Sequence, residues 1–273
     1  MNRREFLKVS SLAAAAAALD GCRSFGGSGL DVCGVRIGVQ MWSVNDLWKK
    51  DPTDAFRRLK AFGYDGVQSF GFLAMDWNEL EKMLDGEGLR IVDMPFYMKN
   101  VQPGEFEKFV EFCQRFRIGF AYEPSSKPKT EDEWTRHAAE LAALRPRFAA
   151  HGIRVGYHNH QRELKERYNG RNPLEILEAA GLDMELDVGH AKLAGADPVA
   201  WLNRLSGRVP SIHAKPAGGL AVGDANDRND WPAILAAAGR AGAKWAIVEC
   251  EVRRNTYEDV EKSIRFLRNG FAL

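Results

Sequence analysis

Two short runs, Ile153-Arg154-Val155-Gly156-Tyr157-His158 and Met184-Glu185-Leu186-Asp187, flank a segment whose helical pattern starts at Pro173. Each run has the length of a strand, and strand, helix, strand is the repeating unit of a parallel sheet. The alternation continues outward in both directions. Arg36–Met41, Gly66–Phe70, Arg90–Met94 and Ile118–Tyr122 come before; Val209–His213 and Trp245–Glu249 come after, so eight strands are expected. Asp51-Pro52 opens a helix that runs to Phe62 and stops at Gly63. Phe106, Phe109, Val110, Cys113 and Phe116 form an apolar stripe at helical spacing. Thr256-x-x-Asp259 begins a last helix with Val260, Ile264 and Leu267 on one face, ending at Gly270. Weaker helical patterns start near Asp76, Thr130, Pro173, Asp197 and Trp231, and Pro146 is expected to kink or end the one begun at Thr130.

Eight strands alternating with helices over residues 33–273 have the size of one closed (β/α)8 TIM barrel, an α/β fold. The competing architecture is a doubly wound open sheet. Its dinucleotide-binding form lacks its phosphate loop here, because no Gly-x-Gly-x-x-Gly follows the first strand.

In such barrels chemistry gathers at the C-terminal ends of strands. The fifth strand ends in His158-Asn159-His160, where strand periodicity turns both histidines the same way. The sixth ends Leu186-Asp187-Val188-Gly189-His190, the seventh His213-Ala214-Lys215 and the eighth Val248-Glu249-Cys250-Glu251. Burying Asp187 or Glu249 unpaired would be costly, and a divalent cation would remove that cost at both. Imidazole and carboxylate donors without thiolate suit manganese, cobalt, iron, zinc or magnesium. Each residue also has a plainer reading. Asp187 caps the following loop, Glu249 pairs with Lys215, and Glu185 is either a polar plug or part of the site. His137 and His151, on the fourth helix and its end, read as solvated imidazoles.

The 273 residues are 45% hydrophobic and 27% charged, with a formal charge of +1. Such neutrality argues against a nucleic-acid partner, which calls for an excess of cations. The four cysteines, Cys22, Cys33, Cys113 and Cys250, have neither zinc-knuckle spacing nor the density of a disulfide framework. Arg3-Arg4 and the alanine-rich Val9–Leu19 read as an export signal of the twin-arginine type, over residues 1–30 with its tether. Leu19-Asp20-Gly21-Cys22 has the form of a lipoprotein cleavage box, in which Cys22 would carry a lipid anchor. The expected location is therefore periplasmic or membrane-anchored.

Ile37–Asp46, Gly156–Glu163, Leu186–His190 with Ala194-Gly195-Ala196-Asp197-Pro198, Arg208–Lys215, Asp230-Trp231-Pro232 and Ile247-Val248-Glu249 together resemble the xylose-isomerase-like sugar phosphate isomerase/epimerase family. That family includes inosose dehydratases, tagatose epimerases and endonuclease IV. The resemblance implies one divalent metal ion on Asp187, His213 and Glu249. His158 stands where relatives carry a fourth-ligand glutamate, with His160 or Glu163 as alternatives. It also implies that His190, Lys215 and Glu163 contact a carbohydrate substrate, and that Glu249 or His160 acts as base. Three positions depart from the family: Met94-Pro95 in place of a third-strand histidine, Gln68 in place of a glutamate, and Pro216 in place of an aspartate.

The chemistry so implied is proton removal beside a sugar carbonyl, giving an enediolate that isomerises, epimerises or eliminates, on a free, keto or glycosidic sugar. A non-catalytic sugar-binding lipoprotein is the rival of another class; a DNA repair endonuclease and a paired-carboxylate glycosidase are further rivals. The leader makes its own prediction. Changing both Arg3 and Arg4 to Lys stops export, as read by cell fractionation; unchanged export would refute the twin-arginine assignment.

Overall fold

A computed structural model describes residues 33–250 and 256–269. The leader, the tether and Cys22 lie outside the described residues, as does Gly270. Nine parallel strands form one nearly closed barrel: β1 (Arg36–Gln40), β2 (Gly66–Gln68), β3 (Arg90–Ile91), β4 (Met94–Pro95), β5 (Phe120–Glu123), β6 (Arg154–His158), β7 (Asp183–Asp187), β8 (Ser211–Ala214) and β9 (Trp245–Val248). β1 pairs with both β2 and β9, so the first and last strands meet, and β4 through β9 pair in sequence order.

The count exceeds the expected eight because the third strand is broken. β3 pairs only with β2 and β4 only with β5; Val92 still donates to the Val67 carbonyl (2.9 Å), so the interruption falls at Asp93. Two local features account for it. Asp93 is buried, its carboxylate taking the Ser211 hydroxyl across the barrel at 2.9 Å. Pro95 has no N–H to give to a ladder.

The helices follow their sequence signals closely. Asp51 accepts from the Asp54 N–H (2.9 Å) at the start of Pro52–Phe62, and Gly63 ends that helix at φ +107°, a conformation open to glycine. The helix Glu105–Arg115 buries Phe106, Phe109, Val110 and Cys113, and Phe112 as well; Phe116 stands just past its end. Phe106, Phe109 and Phe96 pack edge-on or tilted against Phe148 of the next helix. Pro146 neither ends nor interrupts that helix, which runs over Glu131–Ala149. It sits in the last turn, where a missing N–H removes a single bond and the fixed φ suits the helix. Val260, Ile264 and Leu267 of Thr256–Arg268 are fully buried. Among the described residues no helix is long and apolar enough to cross a membrane.

Cys113 and Cys250 are buried free thiols, and burial pushes each up to about 12. Because thiolate is the reactive form, neither should be modified by a thiol reagent at pH 8 in the folded protein, as mapped by peptide mass. Rapid native-state labelling of either would contradict this packing.

Candidate metal centre and active site

Four neighbouring strands bring their ends to one place. β6 ends at His158, β7 at Asp187 and β8 carries His213, while Glu249 follows β9 directly. One ligand atom from each of these four lies within 4.8 Å of all the others. Ligand bonds of about 2.0–2.2 Å to nitrogen and oxygen put opposite donors about 4.4 Å apart on one ion, so the spread is close to that of a coordination shell.

The sequence motifs explain how the chain reaches this geometry. His158 and His160 both line the mouth, as period two requires, while Asn159 between them turns away and clamps the next strand. Its Oδ1 accepts from the Asp187 N–H at 2.9 Å. Gly189 lets the turn after Asp187 lie against β8: a Cβ there would meet the Lys215 carbonyl oxygen at 2.6 Å.

Asp187 serves two purposes at once. Its Oδ1 caps the following turn by accepting from the His190 N–H at 2.7 Å. Its Oδ2 is buried without a hydrogen-bond partner, 3.7 Å from His213 Nδ1 and 4.0 Å from His190 Nε2. An orphaned carboxylate oxygen facing two imidazoles and a second carboxylate suits a divalent cation. Glu249 likewise contacts Lys215 (3.5 Å) and His213 (2.8 Å) together.

Beneath the cluster lies a layer that sequence reasoning left open. Glu185, two residues before Asp187 on the same strand face, is fully buried. Its Oε2 accepts from His158 Nδ1 and stands by His213 Nε2, each at 3.1 Å, while Oε1 accepts from Gln68 Nε2 (2.6 Å) and the Ser211 hydroxyl (3.0 Å). Gln68 in turn takes His213 Nε2 at 2.8 Å and the Gln40 amide. One carboxylate thus orients both rings, leaving His158 Nε2 and His213 Nδ1 toward the cluster. The signals for this layer were the period-two positions Glu185 and Ser211; Asp93, Gln40 and Gln68 approach only once the barrel closes.

The electrostatics follow from burial opposed by neighbours. For Asp187, burial alone would raise the carboxyl, but His190, His213 and Lys215 outweigh it and hold the group well below the usual carboxylate range. Glu249 is held low against burial by Lys215 and His213, and Glu185 by His213 and His158. Asp93 goes the other way, its carboxyl raised well above the ordinary value by burial and by the charge of Glu185. Burial would lower His213, yet Glu185, Asp187 and Glu249 raise it well above the ordinary value. For His160, burial with His158 and His190 nearby depresses the imidazole to about 4, leaving it neutral at physiological pH.

The remaining site candidates are placed as follows. His160 lines the cavity, its ring 4.9 Å from those of His158 and His190. His190 is buried behind Asp187, and Lys215 is buried beside Glu249. Glu163 is engaged elsewhere: it accepts from the Tyr157 hydroxyl (3.0 Å) and the His160 N–H (2.8 Å) and does not line the cavity. His137 is mostly buried against Glu123 at 2.5 Å rather than solvated. The cavity itself encloses about 390 Å³, walled also by Trp42, Phe70, Tyr97 and Tyr122.

Among known proteins, an inosose dehydratase from Lacticaseibacillus casei is 30% identical over 87 residues, a stretch making up 32% of this chain and 29% of that relative. A sugar phosphate isomerase/epimerase from Parabacteroides distasonis ATCC 8503 has a similar structure, with TM-score 0.76 and 24% identity over 86% of this chain and 94% of its own. A D-psicose 3-epimerase solved in the presence of D-fructose gives TM-score 0.65 and 13% identity over 87% of this chain and 99% of its own. The profile of the xylose isomerase-like TIM barrel matches residues 56–270. With most of its length matching that profile, the chain belongs to the xylose isomerase-like TIM barrel family.

Proposed function

We propose that this chain is a metal-dependent sugar isomerase, epimerase or lyase that moves a proton on the carbon beside a sugar carbonyl. The observation that carries the reading is the meeting of His158, Asp187, His213 and Glu249 at the open end of the barrel. A divalent cation held there, manganese, cobalt, magnesium, iron or zinc, would lend Lewis acidity to a carbonyl oxygen. The chain supplies the rest. His160, neutral and on the cavity wall, is suited to take the proton, with Glu249 as the other candidate base. Lys215 and His190 flank the carboxylates and are suited to meet substrate oxygens. Glu163 supports this by fixing the backbone of His160. The isomerase, epimerase and dehydratase names of the relatives support the same range of proton-transfer outcomes. We further propose that residues 1–30 are an export leader, a reading that rests on Arg3-Arg4 and the alanine-rich stretch after them and that favours free, keto or glycosidic sugars as substrates.

Three measurements test this. Incubation with Mn2+ and a sugar panel in heavy water should put solvent deuterium on the carbon beside the carbonyl; absence from every substrate and product would count against proton transfer. Metal analysis should find about one ion per wild-type chain and none in Asp187→Ala. Glu185→Gln, which loosens both imidazoles, should weaken metal binding by about 10–100-fold; unchanged affinity would show that Glu185 does not orient them.

Metal uptake should also depend on pH in a stated direction. His213 is raised in the metal-free protein, so at neutral pH it holds a proton that a metal must expel. Affinity should therefore rise with pH until the folded-state value is passed. Calorimetry in buffers of different ionisation enthalpy should register the released proton, and affinity falling as pH rises from 6 to 8 would contradict the assignment.

A further inference from the structure

The cavity at the barrel mouth does not stop at the histidines. A second hollow of about 480 Å³ abuts it, with Ser69, Pro95 and Tyr97 as the common wall, and none of the four cluster residues lines it. Both volumes fall in the range of about 300–1,000 Å³ typical of ligand pockets. The second is built from segments that follow β2 and β4. Ala74 lies in the short turn Phe72–Ala74, and buried Asn100 accepts the Tyr97 N–H at 2.9 Å, which fixes the loop that presents Tyr97.

Two further features mark this side of the mouth. Ser69 is buried in the shared wall and its Oγ has no hydrogen-bond partner. The exposed large hydrophobic residues among those described are Trp42 (36%), Tyr97 (47%) and Met98 (38%). Trp42 and Tyr97 line the first cavity, and Met98 follows Tyr97 in the chain. Clustered exposed apolar groups mark binding surfaces, and aromatic faces accept the C–H face of a sugar ring while hydroxyls at its edge stay hydrogen-bonded. A single sugar at the cluster would leave the second hollow unfilled.

We propose that the substrate carries two rings, the reacting sugar at the cluster and a second sugar seated against Tyr97 in the adjoining hollow. The inference rests on the sugar-binding reading of the site and narrows it from free, keto or glycosidic sugars in general to disaccharides. Lys99, Lys108 and Glu105 on the hollow's wall offer charged partners for hydroxyls. Lys99 and Lys108 outnumber Glu105 on this wall, so a phosphate group is the competing occupant that the experiment must separate from a second sugar.

Calorimetry on the full chain with Mn2+ present tests this, using D-glucose, D-fructose, maltose, cellobiose, sucrose and glucose 6-phosphate. At least one disaccharide should bind tenfold or more tighter than its component sugars. Ala74→Trp, which fills the hollow, should cut that ratio at least fivefold; Tyr97→Ala, at a nearly half-exposed position, should also lower it and covers the case in which the tryptophan variant fails to fold. Component sugars binding as tightly as disaccharides, or a ratio untouched by either variant, would overturn the second subsite and leave the sugar reading standing. Glucose 6-phosphate binding tighter than every disaccharide would assign the hollow to phosphate instead. Binding of no sugar of either size would remove both readings.

Discussion

Three carboxylates, Glu185, Asp187 and Glu249, sit within or at the rim of a barrel whose interior excludes water, and their charge is the constraint on which the rest of the structure turns. Anions in such a place are tolerated only when compensated. The compensation comes from His158, His190, His213 and Lys215, each delivered by a strand end or the turn after it. The arrangement is layered. Glu185 is satisfied from all sides by Gln68, Ser211 and the two imidazoles, whereas Asp187 keeps one oxygen without a hydrogen-bond partner. That contrast separates a fully hydrogen-bonded layer below from the candidate metal-binding layer above, within two residues of the same strand.

Much of this was legible in the sequence for a simple physical reason. Strand periodicity fixes which way a side chain points, and parallel barrels place all C-terminal strand ends together, so His158, Asp187, His213 and Glu249 could be expected to converge without any knowledge of distances. The helix signals at Asp51-Pro52, Gly63 and Thr256 are local and worked for the same reason. What escaped were properties set by distant partners. Arg90–Met94 looks like one strand; it breaks because Asp93 is held by Ser211, 118 residues away. Glu163 carries the right charge in the right motif, but the turn after His160 directs it to Tyr157. Glu185 shares a face with Asp187, and only Gln68, arriving from the other side of the barrel, decides that it lies in the supporting layer.

Gln68 bridges Glu185, His213 and Gln40. A carboxylate in place of the Gln68 amide would add negative charge beside Glu185, where burial and the Glu185 charge already raise the Asp93 carboxyl well above its ordinary value. A neutral amide, both donor and acceptor, satisfies its neighbours without that cost. The Met94-Pro95 segment adds an apolar surface to the mouth at the wall it shares with the second hollow.

Anomalous diffraction from a crystal of the protein soaked in Mn2+ addresses the central claim most directly. A single strong peak within ligand distance of His158 Nε2, His213 Nδ1 and the Asp187 and Glu249 carboxylates is the expected result. A peak bound elsewhere, or a well-ordered cluster that takes up no manganese, would contradict the account.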